Sequence, residues 1–167
     1  MKWLTIPALL LALSVACDQA PAVETVAAEP ETRAPAGEPQ DLPTTQMRLG
    51  NLRFNLQIAN DPTEREIGLM HVTEMGKKDG MIFVFPKPGQ LSFWMEDTLI
   101  PLDIIFVDAT GTVTKIAQMT PLSRDLTDSD GRCQWVIELN AGMAGEAGIK
   151  VGDVLLMPAE VRPDTAE

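Results

Sequence analysis

Beyond Met47 the apolar residues fall in short blocks, each closed by Gly, Pro, Asn or Asp, and this punctuation constrains the fold more than any single motif. Leu52, Phe54, Leu56 and Ile58 alternate with Arg53, Asn55, Gln57 and Ala59, the period of a half-buried strand, after turn chemistry at Gly50-Asn51. Asp61-Pro62-Thr63-Glu64 predicts a helix start, with Asp61 as N-cap, Pro62 in the first turn and Glu64 closing a capping box; that helix ends near Met70 or His71. Met81 to Phe85 predicts a buried strand closed by Pro86-Lys87-Pro88-Gly89, and Leu91 to Met95 the next strand. Leu102 to Val107 and Thr112 to Met119 flank the hairpin loop Asp108 to Gly111. Gln134 to Leu139 and Asp153 to Met157 supply the last strands, with a short Gly-ended helical turn at 141–147 between them. About seven short strands and one short helix predict a mainly β fold, a compact β-sandwich or barrel rather than a βαβ arrangement.

The 167 residues suffice for one such domain, and they divide into four regions. Residues 1–16 read as a signal peptide, with Lys2 ahead of an apolar stretch too short to span a bilayer. Cys17, after Ser14, Val15 and Ala16, resembles the lipidated cysteine of the bacterial lipoprotein lipobox; Ser14 stands where Leu is usual. That resemblance implies a protein in the cell envelope, on the periplasmic side, with the membrane as partner through lipidated Cys17. Residues 17–46 carry Pro21, Pro30, Pro35, Pro39 and Pro43 with almost no large apolar side chain, and predict a disordered, lipid-anchored tether. Its acids Asp18, Glu24, Glu29, Glu31, Glu38 and Asp41 face Arg33 alone, so repulsion extends it. Residues 47–158 form the β domain, and 159–167 a flexible tail.

Composition narrows the function. Thirteen Lys and Arg against 24 Asp and Glu give a net charge of -11, contrary to the basic surface a nucleic-acid binder needs. Gly142, Gly145 and Gly148 have the wrong spacing for a dinucleotide loop, and an EF-hand frame over Asp128 to Gly131 places Leu126 and Ile137 where carboxylates are required. One His and two Cys supply no zinc site of the usual type. Met70, His71, Met75 and Met81 are the local methionine cluster, read as packing rather than as a Cu(I) site. No cofactor is expected. With Cys17 lipidated, Cys133 has no disulfide partner, and it reads as a strand thiol rather than a nucleophile.

The informative stretch is LSFWMEDTLIPLDIIFVDATG, residues 91–111. It sets Trp94, Asp97 and Thr98 at a junction between strands, where a cleft would open. Asp103 sits in an apolar strand opposite in phase to Leu102 and Ile104, and in WVIELN Glu138 shares a phase with Val136 and Asn140. Carboxylates within strands need partners, and Arg65, Arg48 or Arg53 could serve. Two readings follow: an ion-pair network tying helix to sheet, or a polar cleft walled by Trp94, with Asp97, Thr98, Asp103, Glu138, Arg65 and Asn140 as its polar groups. In the second, Trp94 stacks on a flat ligand such as a sugar ring.

The ordered set GLM, GMIFVFP, FWMEDT, IPLDIIFVDATG, WVIELNAG and GIKVGD resembles the domain of unknown function 192 family, also called uncharacterised protein family 0127, over roughly residues 47–157. The resemblance implies a compact, mostly β domain, often secreted or membrane-tethered, and transfers no catalytic residue. Asp97 stands where the family usually has Asn, His71 and Val72 where an Arg is common, and Trp135 where Tyr is common. The expectation is a lipid-anchored envelope protein whose β domain binds a small molecule, carbohydrate-like in character, or a segment of an envelope partner. A hydrolase using paired carboxylates and a structural or assembly factor of the envelope are the alternatives.

Overall fold

The computed structural model describes residues 38–163. β1 (Thr44–Leu49) and β2 (Leu52–Ala59) form a hairpin around Gly50-Asn51. Gly50 has φ 56°, and a Cβ there would run into the Ala147 carbonyl, so this turn requires glycine. β2 leads into α1 (Pro62–Ile67), where the expected capping box is complete. Asp61 Oδ1 accepts from Glu64 N at 2.8 Å, and Glu64 Oε2 accepts from Asp61 N at 3.1 Å. The helix stops at Gly68, whose φ 52° and ψ -130° only glycine adopts freely. α1 therefore ends three residues before the expected limit at Met70 or His71.

The chain continues through β3 (Asp79–Gly89), β4 (Ser92–Phe93), β5 (Leu102–Val107), β6 (Val113–Met119), β7 (Thr127–Asp128), β8 (Cys133–Asn140) and α2 (Met143–Ala147) to a 3-10 turn at Ala159–Val161. Six strands make one sheet in the order β1-β2-β3-β8-β5-β6, and β4 pairs with β7 in a second, two-stranded sheet. The fold is mainly β and sandwich-like, as expected. β2 and β3 are nevertheless parallel neighbours with α1 in the crossover, so one βαβ connection is present.

Both faces of the large sheet are covered, which explains why β3, β5 and β8 read as continuous apolar runs. On one face Leu49, Phe54, Leu56, Ile82, Ile105 and Ile137 pack beneath Met143, Ala144 and Ala147 of α2. On the other, Met81, Phe83, Leu102, Ile104, Phe106 and Val136 pack beneath Leu69 and Met95.

Several expected boundaries shift. Pro86 to Gly89 continue β3 past a register shift between Val84 and Gly89, because β8 supplies a partner at Cys133. Leu91 to Met95 yields only the two residues of β4, and Asp153 to Met157 contributes a single bridge, Thr112 to Val154. The ordered domain also exceeds its expected limits. Gln40 Nε2 donates to the carbonyls of Glu64 (2.9 Å) and Gly68 (2.8 Å), Leu42 packs on the core, and β1 begins at Thr44, all within the span assigned to the tether. In the expected tail, Val161 is buried and its carbonyl accepts from Trp135 Nε1 at 2.6 Å. The signal peptide and Cys17 lie outside the described residues.

Candidate functional site

Glu138 shares a face of β8 with Val136, and its register neighbours are Met81 on β3 and Ile104 on β5, both fully buried. The side chain is 4% exposed. Loss of water pushes its carboxyl up from an ordinary 4.5 to about 8, and among the described residues no hydrogen bond or neighbouring cation offsets that loss. Burying a carboxyl without a partner is costly, so its surroundings decide what it can do.

Those surroundings are a cavity of about 340 Å³. One wall is α1 and the turn after it, including Arg65, Glu66 and Met70; the other is Gln90 to Trp94, with Thr98 and Phe83 completing the lining. Gly68 lets the turn lie on the Phe83 ring, since a Cβ there would sit 3.3 Å from Phe83 Cζ. Phe93 meets the rings of Phe83 at 5.0 Å and Phe85 at 6.4 Å, both edge to face. Trp94, at 47% exposed, stands on the solvent side.

Most polar side chains in the lining are already engaged. Arg65 Nη1 donates to the carbonyls of Asn60 (2.6 Å) and Val84 (2.9 Å), and its guanidinium lies 5.0 Å from the centre of the Phe85 ring. Desolvation lowers the pKa of Arg65, opposed by Asp61 and Glu64, and the group remains a cation. Arg65 and Glu138 line one cavity without forming an ion pair. Ser92 donates to Asp128 at 2.5 Å, Gln90 to the Ser129 carbonyl at 3.4 Å and Thr98 to the Glu96 carbonyl at 3.3 Å.

The structure thus brings together Trp94, Thr98, Arg65 and Glu138 of the expected set, and separates the rest. Asp103 is paired with Leu139, not Glu138, and projects from the opposite face of the sheet, where its Oδ2 accepts from Ala144 N at 2.9 Å. Asn140 lies outside the cavity and ties the Met75 (3.3 Å) and Gly76 (2.9 Å) carbonyls to β8. Asp97 is exposed with φ 52°, and its carbonyl accepts from His71 N at 2.8 Å, which makes it a turn residue. Asp tolerates this left-handed conformation as Asn does. Sequence reasoning missed Phe83, Phe85 and Phe93 as lining; the alternation Met81, Phe83, Phe85 on β3 was the available signal.

Among the described residues no group of three or more His, Cys, Asp or Glu is placed to hold a metal. Cys133 is buried, with its sulfur 3.3 Å from Thr114 Oγ1. A larger, more open groove of about 900 Å³ lies beside Trp135, Leu155 and Met157, but its charged lining groups Lys87 and Arg162 are exposed.

The profile of the domain of unknown function 192 family, described as an uncharacterised ACR, matches residues 44–157. The chain belongs to this family. A crystal structure from Novosphingobium aromaticivorans, of a protein of unknown function, is 35% identical with a TM-score of 0.65, covering 76% of this chain and 95% of that one. Another, from Sinorhizobium meliloti, is of a protein provisionally described as a transcription regulator; it is 32% identical with a TM-score of 0.63, covering 66% of this chain and 89% of that one. None of the curated proteins compared matches the chain.

Proposed function

We propose that this domain of unknown function 192 protein is a small-ligand-binding module, held at the periplasmic face of a membrane through lipidated Cys17. One observation carries the binding reading: Glu138 is buried without a partner in a cavity whose solvent side is formed by the half-exposed Trp94. A cavity of about 340 Å³ is at the small end of ligand sites, so the ligand is a compact molecule. The hydrolase alternative loses its acid pair, because Asp103 and Glu138 face opposite sides of the sheet. The regulatory role named for the Sinorhizobium meliloti neighbour is not carried over, since a net charge of -11 disfavours nucleic acid.

Trp94 emission tests this reading. With Trp3 and Trp135 replaced by Phe, acrylamide should quench Trp94 as a partly solvated indole, and a bound ligand should protect it. Trp94→Ala should abolish binding while changing stability by about 1 kcal/mol or less, as for an exposed site. A buried-type emission, together with a loss of roughly 3–5 kcal/mol as for a core aromatic, ends the proposal.

A further inference from the structure

The chain has five Phe, three Trp and no Tyr, and four of these aromatics, Phe83, Phe85, Phe93 and Trp94, line the cavity that Glu138 also lines. The lining grades from the buried ring of Phe83, through the half-buried Phe85 and Phe93, to the exposed indole of Trp94. Aromatic rings offer their faces to cations, and most strongly where water is excluded; Arg65 already takes the Phe85 ring in this way, which leaves Phe83, Phe93 and Trp94. Arg65 Nη1, Ser92, Gln90 and Thr98 each donate to partners within the protein, and the anionic side chains of the lining are the carboxyls of Glu138 inside and Glu66 on the exposed face of α1. A sugar needs several donors and acceptors together. This lining offers it few.

We propose that the cavity binds a small organic ammonium ion, its alkyl groups against the aromatic lining and Glu138 as its counter-ion. The inference rests on the reading of the cavity as a ligand site and names the class of ligand. Burial of an unpartnered carboxylate is destabilising on its own, and a cation that completes the pair offsets part of that cost. Glu138 holds a proton near neutral pH in the free domain, so cation entry displaces that proton. Other charged groups about the cavity are Arg65, held by two carbonyls, and Glu66 on α1. Glu96 is paired with Arg124 at 2.6 Å, and Lys115 on β6 contacts the Asp128 carbonyl at 2.6 Å and Asp130 at 3.5 Å. His71 follows the lining residue Met70.

Calorimetric titration with choline, with 3,3-dimethylbutan-1-ol as its uncharged carbon analogue and methyl glucoside as a neutral ring, tests the inference. Choline should bind roughly tenfold tighter per pH unit from pH 6 to about 8, releasing close to one proton, and level off above that. Glu138→Gln should abolish this pH dependence and weaken choline more than tenfold at pH 8.5, leaving the uncharged analogue unchanged. A pH dependence that survives in Glu138→Gln assigns it to another group and overturns the proposal. Equal binding of choline and its uncharged analogue at pH 8.5, or preference for methyl glucoside, overturns the cation while leaving the ligand site standing. No binding of any probe, with no change in Trp94 emission, removes both.

Discussion

Glu138 lies between Met81 and Ile104, where its charge is largely stripped of water. In the unfolded chain it ionises near 4.5 and in the folded domain near 8, so between these values the folded state holds the extra proton. Stability contributed by this group is therefore complete below about pH 4.5 and lost as pH rises through about 8, with a slope of at most about 1.4 kcal/mol per pH unit. Urea denaturation should show the domain weakening from pH 5 to 8, and Glu138→Gln, which keeps the shape without the charge, should flatten that fall. An equal fall in the variant would show that Glu138 is not its source. Asp97 illustrates a residue whose type is set by backbone geometry: its left-handed φ admits Asp or Asn, and it is not part of the cavity lining.

At the scale of elements, Asp103 is the link between sheet and helix. α2 is only Met143–Ala147, begins at Gly142 without a side-chain cap of its own, and receives one from β5 through Asp103 Oδ2. Asp103→Ala leaves the buried Ala144 N–H without its acceptor and should cost roughly 1–3 kcal/mol. Asp103→Asn, which keeps an oxygen there, should cost less. Thermal melts of the two variants check this, and equal losses would show that the carboxylate charge matters rather than the cap. The phase of Asp103 against Leu102 and Ile104 was legible from alternation alone. What alternation cannot tell is which side of a doubly covered sheet that phase addresses. That depends on the β5–β8 register, in which Ile104 and not Asp103 opposes Glu138, and the pairing of strands so far apart in the chain cannot be read from either strand alone. The capping box of α1 and the β2 alternation were legible because both are local. β1 was not, because Thr44, Thr45 and Gln46 carry no apolar signal and pair only once β2 stands beside them. The cavity was half legible: Trp94 and Glu138 declared themselves, whereas Phe83 and Phe85 read as ordinary core.

At the scale of the whole molecule, some twenty Pro-rich, acidic residues separate the proposed anchor at Cys17 from Gln40, whose side chain bonds to the end of α1. The full-length protein should fractionate with membranes, and Cys17→Ser should release it or block its processing, since two or more acyl chains hold firmly where one binds marginally. Mass spectrometry that finds an unmodified N-terminus beyond Cys17 would refute the anchor. The sheet order carries a separate consequence for how the chain folds. β8 follows both β3 and β5 in the chain and is inserted between them, so residues 133–140 must dock before the two halves of the sheet can join. Until then β3 and β5 are both unpaired edges of apolar composition, open to any other strand they meet. The sheet thus closes only through long-range pairing on both sides of β8, a slow step during which the domain depends on being kept apart from its neighbours.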